Sequence, residues 1–74
     1  MLDFNLIRDA VECGWMGNHI NPAKVSKYIE ENSSDRRYKV SWNALTDNSG
    51  IFTYRTIKYW FYRWYDGTCE VERM

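Results

Sequence analysis

Histidine occurs once, at His19, and no His-Glu-x-x-His, Gly-rich phosphate loop or recognisably spaced pair of carboxylates accompanies it. Without such a constellation the roles of acid, base and nucleophile have no candidates, so neither an enzymatic activity nor a cofactor is expected. Cysteine is scarce too. Cys13 and Cys69 lie near opposite ends, outside any Cys-x-x-Cys, and His19 completes no metal-ligand spacing with Cys13. The expectation is no metal and two free thiols in a reducing compartment, with a disulfide joining the ends as the alternative. No run approaches the ~18 apolar residues that span a bilayer. Met1 is followed by an amphipathic stretch containing Asp3, Arg8 and Asp9, not by the apolar core of a signal peptide, so a cytoplasmic protein is expected.

Low-complexity tracts and internal repeats are also missing, which leaves residues 1–74 as a single globular domain. A chain this short buries only roughly 60% of its unfolded surface. Net charge is zero, which counts against a dedicated nucleic-acid binder. The charge is uneven, however. Residues 34–63 carry Arg36, Arg37, Lys39, Arg55, Lys58 and Arg63 against Asp35 and Asp47, a local excess of four positives.

What the chain has in abundance is aromatic residues. Eight of the fourteen residues from Phe52 to Tyr65 are aromatic. Each ring buries a large apolar area, which helps a small domain. One element cannot bury all eight, so some must serve another purpose.

Local signals give an order of elements. Phe4, Ile7, Ala10 and Val11 recur at helical spacing, with Asp3 as N-cap and Gly14 after the end. Asn21 caps and Pro22 opens a second helix, whose face is Val25, Tyr28 and Ile29. Residues 37–42 alternate, with Tyr38, Val40 and Trp42 on one side, and predict a short strand. Ser41 also suits the cap of a helix over residues 42–48. Thr53 and Gly67 then bracket a long helix over residues 54–65. Residues 68–73 alternate again and predict a strand that pairs with the first.

Ser41, Ala44, Leu45, Ser49-Gly50-Ile51, Thr53, Thr56-Ile57, Trp60 and Phe61 together resemble a helix-turn-helix, and the strand–helix–helix–strand order resembles a winged-helix DNA-binding domain of the kind found in small phage-type regulators. Phe52 makes the turn one residue longer than the usual form, and few residues remain for a wing. The resemblance implies a mostly α domain of three to four helices, a truncated winged helix with a two-stranded β-ribbon. It further implies a small transcriptional regulator that binds double-stranded DNA through the helix at 54–65, as a homodimer.

On that helix, Ile57, Trp60, Phe61 and Trp64 form the core face. Tyr54, Arg55, Lys58, Tyr59, Tyr62 and Arg63 face outward. The DNA-binding residues implied are Tyr54, Arg55, Lys58, Tyr59 and Tyr62 in or beside the groove, with Arg36, Arg37 and Lys39 on phosphates. The alternative is a protein-binding inhibitor or adaptor using the same Tyr/Arg face, since interface hot spots favour Tyr, Trp and Arg and lysine is scarce here. The competing structural reading packs Tyr59 or Tyr62 on the first helix, leaves Arg36 and Arg37 solvated, and makes Trp15 and Met16 a lid on the core. Between these, Tyr59 is expected outward and Tyr62 at least half covered.

Overall fold

The computed structural model describes residues 2–33 and 40–74. Two helices come first, α1 (Phe4–Gly14) and α2 (Pro22–Asn32). Four strands follow: β1 (Ser41–Thr46), β2 (Ser49–Tyr54), β3 (Ile57–Arg63) and β4 (Cys69–Arg73). Each strand pairs antiparallel with its neighbour in the chain, in the sheet order β1-β2-β3-β4. Both helices lie on one face of this sheet.

The helices form where the sequence places them. The Asp3 carboxylate accepts the Asn5 N–H at 2.8 Å, and Asn21 Oδ1 accepts the Ala23 N–H at 3.1 Å, with Pro22 in the first turn. These caps satisfy backbone donors that a helix start leaves orphaned. Ile7, Ala10, Val11, Val25 and Ile29 are fully buried between the helices and the sheet. The helices approach closely at Gly14, where a Cβ would stand 2.4 Å from Val25 Cγ2. Gly14 belongs to α1 itself, and Trp15 caps it.

The second half of the chain corrects the sequence reading. The domain is α+β, two helices on a four-stranded sheet, not a mostly α bundle. No helix spans 42–48: those residues are β1 and the Asp47-Asn48 turn into β2. No helix spans 54–65 either. Tyr54 ends β2, Arg55 and Thr56 form a two-residue turn, and β3 follows. Gly50 is no helix-turn-helix hinge but a residue of β2, beneath the Trp42 ring, where a Cβ would meet Cζ2 at 2.8 Å. The C-terminal strand exists, but β4 pairs with β3 and lies at the edge opposite β1. Of the strand expected at 37–42, Ser41 and Trp42 lie in β1, and Tyr38 is outside the described residues.

Burial explains the outcome. A single helix over 54–65 would cover one stripe, four large side chains at most. Two paired strands place Phe52, Tyr54, Tyr59 and Phe61 on one face, and all four are buried. Aromatic and β-branched residues also fit the pleated surface better than a helix. Phe52 and Tyr59, directly opposite in the register, stack at 5.2 Å between centroids, and Phe4 meets Tyr59 edge-on at 6.4 Å. The Tyr59 hydroxyl accepts the Leu2 N–H at 3.0 Å, tying the start of the chain to β3.

The β2–β3 turn holds Arg55 at φ 54° and Thr56 at φ 72°. This is the left-handed conformation that two-residue hairpins require and that Gly or Asn adopts most readily. Thr56 is β-branched and unsuited to it. Thr56→Gly is therefore expected to stabilise the domain by about 1 kcal/mol, seen as a higher urea midpoint at unchanged m-value. An unchanged or lower midpoint would show that the turn is not strained.

Candidate interaction surface

Alternation along β3 sends Ile57, Tyr59, Phe61 and Arg63 toward the helices and Lys58, Trp60 and Tyr62 to the other side. Trp64, just past the strand, continues the outward set. The outward rings form a row: Trp60 and Tyr62 lie 6.3 Å apart, Tyr62 and Trp64 4.5 Å apart. Trp60 and Tyr62 are half-buried, and Trp64 is 41% exposed. Ser49, Ile51 and Thr53 of β2 flank the row on one side. Glu70 and Glu72 of β4 flank it on the other, Glu70 opposite Tyr62 and Glu72 opposite Trp60. Residues so paired have Cβ atoms about 4.5–5.5 Å apart. Each of these two rings thus has a carboxylate beside it.

The row is braced from behind. Arg63 points inward and is nearly buried, and its guanidinium forks onto Glu12 of α1, with Nε to Oε1 at 2.9 Å and Nη2 to Oε2 at 3.2 Å. The same group lies 4.2 Å over the Trp15 ring and donates to the Trp64 carbonyl at 2.8 Å. Trp15 in turn meets Tyr65 at 5.4 Å. The end of β3 is therefore clamped to α1; of the two residues expected as a lid on the core, Trp15 lies over the Arg63 side chain and Met16 is exposed.

The β3–β4 hairpin closes this end of the face. Trp64 N–H donates to the Thr68 carbonyl at 2.8 Å, and Gly67 adopts φ 97° between them. The Asp66 carboxylate accepts the Thr68 N–H at 2.9 Å, and this bond holds the Asp66 carboxyl below the ordinary carboxylate range. Glu70 and Glu72 make no side-chain hydrogen bond or ion pair among the described residues. Cys13 and Cys69 are unpaired thiols, the first exposed, the second half-buried, and burial pushes the Cys69 thiol up. Among the described residues no group of His, Cys, Asp and Glu could hold a metal ion, and no helix is long and apolar enough to cross a membrane.

The residues proposed from sequence do not gather on one surface. Tyr54 and Tyr59 are buried in the core, facing the helices. Arg55 is exposed at the hairpin turn, and Lys58 is exposed on the outward face of β3. Tyr59, expected outward, is fully buried and meets Phe4 of α1, whereas Tyr62 is half-buried as expected but on the outward face, away from the helices. Arg36, Arg37 and Lys39 lie outside the described residues. Trp60 and Trp64, assigned to the core from helical phase, belong to the open face. Glu70 and Glu72 were not singled out at all. Their alternation with Cys69 and Val71 marked them as one side of a strand, but their place beside the rings follows from the register alone.

The fold and this face together define a small α+β domain with an aromatic sheet surface on which no helix lies among the described residues. No protein-family model, curated protein or solved structure matches the chain.

Proposed function

We propose that the domain is a protein-binding module, of the inhibitor or adaptor kind, whose helix-free sheet face takes a basic segment of a partner protein. The observation that carries this reading is the register of β3 and β4, which sets Glu72 beside Trp60 and Glu70 beside Tyr62. Trp and Tyr are the residues that dominate interface energies, and a contiguous apolar row on a monomer's surface marks a contact site. Carboxylates flanking the rings favour a cationic partner and disfavour a polyanion. A face-to-face pair of identical copies would set these carboxylates against one another.

Binding to duplex DNA is the competing reading. Exposed Lys58 and Arg55 favour it, and a β-sheet can serve in place of a recognition helix. The helix at 54–65 through which the winged-helix resemblance would act is not present. The two readings separate in one experiment. The double variant Trp60→Ser, Tyr62→Ser is expected to keep a cooperative melt and to lose at least about thirtyfold in affinity, roughly one hot spot's worth, for a fluorescein-labelled lysine- and arginine-rich peptide, measured by anisotropy. The parent is expected to show no duplex DNA binding at physiological salt. Salt-sensitive duplex binding that persists there, with no peptide binding, would replace this reading with the DNA one.

A further inference from the structure

We infer that the cleft beside Trp64 is a guanidinium site, which receives an arginine side chain of the bound segment. The inference rests on the protein-binding reading above and names the side chain at its centre. The cleft is open and shallow, about 290 Å³, and is lined by Trp64, Asp66, Thr68 and Glu70. An indole forms one wall, and two carboxylates stand around it. A guanidinium stacks flat on an aromatic face while its edges stay free to donate to carboxylates on either side. An ammonium has no flat face and no fork, so lysine uses less of this geometry.

The walls are set before any ligand arrives. The Trp64–Thr68 and Gly67–Trp64 backbone bonds, at 2.8 and 3.1 Å, close a three-residue loop with Gly67 in the left-handed region. The Thr68 N–H fixes one oxygen of Asp66 at 2.9 Å. Tyr62 backs the Trp64 ring at 4.5 Å. A site so held loses little freedom on binding. Asp66 is exposed and so ionised at neutral pH, the Thr68 hydrogen bonds lower its pKa further, and the Glu70 carboxylate has no partner among the described residues.

The same protein already uses this arrangement on its inner side. Arg63 lies 4.2 Å over the Trp15 ring and is gripped by the two oxygens of Glu12. There the cation, ring and carboxylate all belong to one chain. Beside Trp64 the ring and carboxylates are present; Arg63 is near enough to act on Asp66, but its guanidinium is engaged by Glu12 and the Trp64 carbonyl, and a second cation is the part that a partner supplies.

The test is a titration of ¹⁵N-labelled protein with acetyl-(Arg-Gly-Gly)₃-amide and with its lysine and citrulline counterparts. Citrulline keeps the shape of arginine and removes the charge. The arginine peptide is expected to shift the Trp64 indole N–H and the Glu70 amide, the lysine peptide to bind more weakly, and the citrulline peptide to leave both unmoved. Glu70→Gln and Asp66→Asn should each lower affinity about three- to fivefold, as for exposed charge pairs. Asn keeps the acceptor for the Thr68 N–H, so an unchanged melt confirms that the turn survives. Equal binding of arginine and citrulline peptides, or full affinity in the Glu70→Gln, Asp66→Asn double variant, overturns the guanidinium site. If the arginine peptide moves Trp60 and Tyr62 but not Trp64, the cleft is wrong and the sheet-face reading stands. If none of the three peptides moves any outward-facing resonance while a single-stranded oligonucleotide does, both fall.

Discussion

Tyr59→Ala and Phe61→Ala are each expected to cost about 3–5 kcal/mol, and Trp60→Ala no more than about 1–2 kcal/mol. The first two rings are completely buried between the sheet and the helices. Truncating them leaves a cavity that the surrounding strands cannot close, because their spacing is fixed by backbone pairing. Tyr59 carries a further cost, since its hydroxyl is the acceptor for the Leu2 N–H. A domain of this length has total stability of roughly 4–11 kcal/mol. Either truncation therefore removes a large share of it, and Tyr59→Ala should be partly or wholly unfolded at 37 °C. Trp60 is the informative comparison. On a helix, Trp60 and Phe61 lie on one face and must be equally costly to remove. On β3 they lie on opposite faces, and only one is in the core. Urea unfolding followed by circular dichroism gives all three values. Equal losses at positions 60 and 61 would contradict the strand.

Glu12→Ala should be the next most damaging change, at about 3 kcal/mol. Glu12 is a half-exposed surface residue, which would ordinarily make its removal nearly neutral. Its partner is not: the Arg63 side chain is only 8% exposed and depends on Glu12 for both arms of the fork. Removing the carboxylate leaves a guanidinium under Trp15 with the Trp64 carbonyl as its remaining acceptor among the described residues. Water entering through the vacated Glu12 position reduces the penalty from the upper end of the range for buried pairs. Arg63→Met removes the charge along with its need for a partner and fills similar space, so it should cost clearly less than Glu12→Ala. Urea midpoints for the two variants, with the double variant Glu12→Ala, Arg63→Met, measure this order. If Arg63→Met is the worse single change, the ion pair contributes net stability, and the uncompensated charge is not the dominant effect.

The first half of the chain was legible from sequence because its signals are local. Asp3 and the Asn21-Pro22 pair are start signals with one reading, and Ile7, Ala10, Val11, Val25 and Ile29 fit no period but the helical one. The alternation of Cys69, Val71 and Arg73 with Glu70 and Glu72 was equally clear. Residues 57–64 were ambiguous for a physical reason. Aromatic or aliphatic side chains at 57, 59, 60, 61, 62 and 64 satisfy a period of 3.6 and a period of 2 at once. The punctuation that would have decided was muted, because Arg55-Thr56 makes a hairpin turn without the usual Gly or Asn. The row Trp60, Tyr62, Trp64 was visible as an aromatic excess. Its partition into core and surface depends on the strand phase, and its carboxylate flank depends on the pairing of segments roughly ten residues apart.

The dipeptide Asp47-Asn48 touches three separate parts of the molecule. The Asp47 carbonyl accepts from Ile20 N–H at 2.6 Å, in the connector between the helices. Asn48 exchanges two bonds with Arg63, accepting from its N–H and donating Nδ2–H to its carbonyl, both at 2.8 Å. Connector, first hairpin and the end of β3 therefore share one knot. An opening of the first hairpin must break its bonds to both the connector and β3, so hydrogen exchange at Asn48 and Arg63 is expected to be slower than at the exposed β3–β4 turn. The aromatic face is thus mounted on a strand whose end is tied through one turn to the connector between the helices.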